Sequence, residues 1–278
     1  LVPDVAFAES ASFTGGNVPE RLLGIELLAS AKPEAHAGLV PLCSDASDGV
    51  ASAAWAVLDR MSPETLVPLI STGRSHRDAA VRMTAARIIR RFPDAERCGW
   101  LHEQLSDKHL EVRNVAREML FLVAEEQAPL RDEIIAMASD TLVADRDDWQ
   151  AIEQCLLLLG QLRASQFSDR CIPLLDHARN EVLVTSAWLL HLFPDPAVED
   201  AVKIRLIRNE ELLRNPDAES ARKDLDKQSS YLIQYAGLRR LEGIQPYLKP
   251  AFRKGPPRDT FKRAAAMWTL GLLNENDP

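Results

Sequence analysis

Apolar and small residues return along this chain at a fixed spacing. In "EVRNVAREML", with Val112 as position 0, Arg113 lies at +1, Ala116 at +4 and Leu120 at +8. A step of 31 residues back places Val81, Arg82, Ala85 and Ile89 on the same offsets, and a further 31 places Val50, Ala51, Ala54 and Leu58. A third such step gives Pro19, Glu20, Leu23 and Leu27. Downstream the spacers lengthen. Ala151, Cys155 and Leu159 follow 39 residues after Val112, and Val182, Ser186 and Leu190 follow 31 after that. A weaker copy is Gln228, Leu232 and Ala236, and a last one is Lys262, Ala266 and Leu270.

Positions four apart advance only about 40° around a helix, so each set forms one face. The small residue at +4 lets another helix approach closely. A preceding helix is marked by "LVPLC", "LVPLI" and "CIPLL", where Pro41, Pro68 and Pro173 are expected to bend it. Asp48, Asp78 and Asp107 read as N-caps in the turns between the helices. No segment alternates with period two, so no sheet is predicted. One such hairpin cannot bury its own apolar face, whereas stacked hairpins can.

The units "DAAVRMTAARII" and "DKHLEVRNVAREML" resemble the HEAT repeat in their turn Asp, Val-Arg pair, and Ala and Leu positions. The resemblance covers most of residues 17–193 and returns at 244–273. It implies an all-α fold, a right-handed α-α superhelix (HEAT-repeat solenoid) of about seven to eight helical hairpins. It also implies that Asp78, Arg82, Asp107 and Arg113 form a structural ladder between repeats. Glu20, Ala51 and Leu183 stand where the Arg belongs, which would confine that ladder to the middle copies. In HEAT stacks the second helices line the concave surface, so offsets +2, +6 and +9 are expected to face outward there. These are Met83, Arg87 and Arg90, then Asn114, Glu118 and Phe121, then Val184, Trp188 and His191. Arg87, Arg90, Glu118, Phe121, Trp188 and His191 are the candidate partner-binding residues, since arginine and aromatic side chains commonly anchor interfaces. Trp268 shares the +6 offset of Trp188, and packing of such a Trp against the adjacent helix is the competing reading.

The expected organisation is a single solenoid over residues 1–278. Residues 1–16 are an irregular remnant, 17–193 the regular array, 194–243 irregular longer helices, and 244–278 a final, truncated repeat. The charge-dense stretch 194–230 reads as a solvated insertion around a loop at Asn215-Pro216, with a protruding arm as the alternative. "RKGPPRD" at 253–259 reads as a turn. Leu1–Phe13 lacks the basic start of a signal peptide, and the missing initiator Met suggests a fragment.

Composition narrows the function classes. The chain is 46% hydrophobic, enough for a sizeable core, and no apolar run is long enough to span a membrane. A soluble protein, cytoplasmic or periplasmic, is expected. The net charge of -8 argues against nucleic acid as the partner. Against that background, Arg74–Arg117 holds ten basic and six acidic side chains, a candidate footprint for an acidic partner unless these arginines pair internally. Cys43, Cys98, Cys155 and Cys171 have no metal-type spacing and read as buried thiols, with a Cys155–Cys171 bridge left open.

No nucleotide-loop, zinc-protease or nucleophile-elbow motif occurs, and the sequence points to no cofactor. His102-Glu103 is a lone His-Glu dyad, too few for the di-iron site of the HEAT-type deoxyhypusine hydroxylases. The reading is a non-catalytic, monomeric scaffold that binds a protein or peptide on its concave face. "RAAAMWTLGLL" is similar to HEAT stretches in large bacterial multidomain proteins. The alternatives are a ligand carrier or enzyme similar to the bilin lyases or alkylpurine DNA glycosylases, and a structural spacer.

Overall fold

The computed structural model describes residues 15–31, 33–58, 63–143, 147–214, 219–248 and 260–274. Among them every regular element is helical and no strand occurs. Two compact units divide the chain, Leu1–Ile134 and Ile135–Pro278.

The first unit contains α1 (Val18–Ser30), a 3-10 segment (Pro33–Ser44), α2 (Asp48–Leu58), α3 (Pro63–Arg74), α4 (Ala79–Ile89), α5 (Ala95–Glu103) and α6 (Leu110–Glu126). Helices α1, α2, α4 and α6 form a row, each packed on the next. The 3-10 segment, α3 and α5 pack against that row. The boundary between the units falls within α7 (Ala128–Thr141). The second unit repeats the plan. Its row is α8 (Trp149–Gln161), α9 (Asn180–Leu192), the later α11 (Glu219–Leu238) and, last, α13 (Thr260–Asn274). Packed against it are 3-10 segments at Ser168–Cys171 and Pro173–Asp176, and α10 (Glu199–Arg214); α12 (Gln245–Leu248) packs on α10.

The row helices are held by the face that the spacing marks. Val50, Ala54, Leu58, Val81, Ala85, Ile89, Val112, Ala116 and Leu120 are all wholly buried. Each fully buried Val, Leu or Ile contributes about 1.5–3 kcal/mol relative to exposure. In α1 the register differs by one residue. Leu23 is 45% exposed, while Gly24 and Leu28 are buried. A capping box between Asn17 and Glu20 sets where this helix starts. Its inward pair is therefore Gly24 and Leu28, 30 residues before Ala54 and Leu58 of α2. That shift moves Arg21 to offset +1.

Three other expectations change. The helices around Pro41 and Pro173 are 3-10 rather than bent α, whereas Pro68 lies inside α3. Around Pro173 the shorter bonds Ile172 N–H to Asp169 O and Leu175 N–H to Ile172 O replace an α ladder that proline cannot complete. Asp78 does cap α4 by accepting from the Ala80 N–H, but Asp48 is the first residue of α2 and Asp107 lies two residues before the α6 cap, His109. Finally, the charge-dense stretch is not a solvated insertion: α11 packs between α9 and α13, with Gln228, Ser229 and Leu232 wholly buried.

Residues 1–14, the loop expected at Asn215-Pro216 and the turn expected at 253–259 lie outside the described residues. The four cysteines are free and buried. Burial pushes the thiols of Cys43, Cys155 and Cys171 up to about 12, and that of Cys98 up to about 11.

Candidate functional site

The turns that lead into the row helices share one device. At Asp45 and Asp107 a carboxylate oxygen accepts the backbone N–H two residues on, from Ser47 at 2.7 Å and His109 at 2.8 Å. At His76 and His177 the ring Nδ1 takes the same place, accepting from Asp78 and Arg179 at 3.0 Å each. All four lie five residues before their anchors, Val50, Val81, Val112 and Val182.

Charge explains which residue fills the turn. Asp45 is paired by Arg21 at 2.8 Å, and Asp107 by Arg82 at 2.6 Å, each arginine coming from offset +1 of the preceding row helix. Before His76 that offset is Ala51, and before His177 it is Ile152. With no arginine at that offset to pair with a carboxylate in these turns, an imidazole nitrogen supplies the acceptor instead. Arg82 also donates to the carbonyls of His76 and Arg77 at 2.6 and 2.9 Å. Arg113 donates to the Asp107 carbonyl at 2.7 Å. Asp78 serves as a cap and holds no place in the Arg82–Asp107 rung. Burial works to raise the Asp107 pKa, but the hydrogen bonds from Arg82 and the His109 N–H, with their charges, hold it below the usual range.

The second unit carries a buried polar hub. Gln228 donates to the carbonyls of Leu175 and Leu183 at 2.9 and 3.0 Å and accepts from Arg205 and Asn209 at 2.9 and 3.0 Å. Lys262 pairs with Glu210 at 2.6 Å and Asp226 at 3.0 Å, fixing α13 to α10 and α11. Gln228 and Lys262 occupy offset 0, where the copies in α2, α4, α6, α8 and α9 carry Val or Ala. A polar residue in an apolar register was the signal for this hub.

The partner-binding candidates separate. Arg87 and Glu118 are exposed, and Arg90 and Phe121 are half-buried, all in the first unit. Trp188 and His191 belong to the second unit and are half-buried. The Trp188 ring lies against α8 at Gly160, where an added Cβ would meet Cη2 at 2.4 Å. The His191 ring lies 5.9 Å from that of Tyr231, tilted by 34°, and burial lowers its pKa. Val184, expected outward, is only 8% exposed. Because the row helices pack tightly on one another, offsets +2 and +9 often meet a neighbouring helix rather than solvent.

A groove of about 500 Å³ lies between α4 and α6, lined by Arg87, Arg90, Arg91, Met119 and Glu126. Arg90 is ion-paired with Glu126. Among the described residues no side chain pairs with the exposed Arg87. Much of the remaining positive charge is used internally. Arg74 pairs with Glu103, Arg77 with Asp48 and Arg97 with Asp94, while Arg74 also lies 5.2 Å over Trp100. Met119 and Glu126 were missed from sequence because they sit off the outward offsets and reach the groove only through the pairing of α6 with α4.

Among the described residues no group of three or more His, Cys, Asp or Glu side chains is placed to hold a metal ion. No helix among them is long and apolar enough to cross a membrane. No family model and no curated protein matches this chain. Two engineered proteins, both Northeast Structural Genomics Consortium targets, are similar solved structures. The first has a TM-score of 0.42 at 15% identity, covering 95% of this chain and 77% of its own. The second has a TM-score of 0.32 at 15% identity, covering 82% and 97%. Likenesses at this level carry no argument about function.

Proposed function

We propose that this chain is a non-catalytic HEAT-type repeat scaffold, its hairpins stacked in the manner of a right-handed α-α superhelix, that binds a protein or peptide on the face of its row helices. The observation that carries the reading is the recurrence of one turn at residues 45, 76 and 107, spaced by 31, with arginine rungs from one copy to the next. Such rungs set the angle between successive hairpins and hold the row rigid, which preorganises its face for binding. Arg87 and Glu118 at offset +6 stand exposed on that face.

Peptide-display selection on the immobilised chain tests this, with an Arg87→Glu/Arg90→Glu variant alongside. Enriched peptides that lose binding to the variant support the reading. Enrichment indifferent to the variant moves the binding surface elsewhere, and no enrichment at all refutes a peptide-binding scaffold.

A further inference from the structure

Which chemistry the row face selects is written in the groove between α4 and α6. Three arginines, Arg87, Arg90 and Arg91, line it together with Met119, which is 6% exposed. Two carboxylates answer them from α6. Glu126 pairs with Arg90, and Glu118 adds its charge nearby. The Arg90–Glu126 pair is 40% and 49% exposed, so solvent screens it and it contributes little to folding. Its geometry is nonetheless that of a guanidinium already holding a carboxylate at the groove's rim. Arg87, one turn earlier on α4, has no such partner among the described residues.

We propose that this groove docks an acidic peptide segment, with Glu126 as an intramolecular place-holder. A Glu or Asp of the peptide engages Arg87, and a second displaces Glu126 from Arg90, while an apolar side chain between them covers Met119. Arginine suits this task because its planar fork binds a carboxylate bidentately and stays charged at all working pH values. The local charge is consistent: three arginines and two carboxylates stand around the groove inside a chain of net charge -8, a positive balance that favours an acidic ligand here. The inference rests on the scaffold reading above and goes beyond it by assigning the groove and the ligand class.

The test is fluorescence anisotropy with a labelled oligo-glutamate peptide carrying one central leucine, beside an oligo-lysine counterpart, at low and physiological salt. The acidic peptide is expected to bind, the basic one not, and added salt to weaken binding. Arg87→Glu should weaken it at least about tenfold, through lost attraction and new repulsion. Glu126→Gln should strengthen it by about threefold, because Arg90 is released. Both sites are exposed, and an unchanged circular dichroism melt verifies that each variant is folded. No preference for the acidic peptide, an unchanged Kd in Arg87→Glu, or weaker binding in Glu126→Gln overturns the proposal. If display peptides bind the row face but are not acidic, this inference fails while the scaffold reading stands.

Discussion

Arg82→Ala removes the cation from the rung that ties α4 to the turn before α6. The Arg82 and Asp107 side chains are 6% and 11% exposed. Arg82 donates to both Asp107 oxygens, at 2.6 and 2.9 Å, and to the carbonyls of His76 and Arg77. Truncation leaves a largely buried carboxylate without its cation and two carbonyls without donors. Losing one partner of such a pair costs about 3–5 kcal/mol. Asp107→Asn keeps an acceptor for the His109 N–H but strands the buried guanidinium, at about 1–3 kcal/mol. Arg82→Met with Asp107→Asn, which removes both charges and retains volume, should recover much of the loss. The coupling in the cycle of Arg82→Met, Asp107→Asn and their double variant should reach about 2 kcal/mol. Hydrogen exchange, read separately on α4 and α6 peptides, is the assay, because two units need not unfold as one. Acid adds a second readout. The Asp107 pKa is lowered in the folded state, so its contribution is complete above the unfolded carboxylate pKa and is lost as pH falls through the folded one. Arg82→Ala should abolish that acid-dependent loss, because burial without the cation brings the folded Asp107 pKa up to or above the unfolded one. A cost below about 1 kcal/mol, or a coupling near zero, would refute the rung as a structural element.

Four further outcomes follow from the same geometry. Ala51→Arg alone buries an unpaired cation at a wholly buried site and should cost at least about 2 kcal/mol, whereas adding His76→Asp should build a new rung and restore most of it, measured by urea unfolding. Gly160→Ala places a Cβ 2.4 Å from the Trp188 ring and should cost about 1–3 kcal/mol, with a smaller penalty in a Trp188→Leu background. Arg163 and Arg240 are exposed residues at φ 54° and 52° just beyond α8 and α11, so Arg163→Gly or Arg240→Gly should each stabilise by about 1 kcal/mol and raise Tm. The four thiols, held at about 11 to about 12 by burial, should resist maleimide at mildly alkaline pH until denaturant is added; fast labelling of the native protein would contradict their burial.

Spacing alone located seven of the eight apolar faces. It failed at α1, where the Asn17–Glu20 capping box starts the helix one residue out of register. It also passed over His76 and His177, since imidazole and carboxylate share no side-chain class and only their common bond to the N–H two residues on reveals the equivalence. Of the candidate binding residues, Arg87 and Glu118 are exposed, whereas Trp188 rests on Gly160 and His191 on Tyr231. Helical periodicity says which side of a helix is apolar. It does not say how closely the next helix approaches the flanks of that side.

That division separates the two levels of determination. The sequence by itself determined an all-helical chain built on a 31-residue recurrence, because helix faces depend on local residue order. Tertiary structure alone decided which charges are available. Arg82 is used by Asp107, Lys262 by Glu210 and Asp226, and Arg90 is held by an exposed Glu126 beside Arg87, which has no side-chain partner among the described residues. Partners 25 to 52 residues apart in sequence meet only when the row is packed. The strength of each pair then depends on how much water that packing removes.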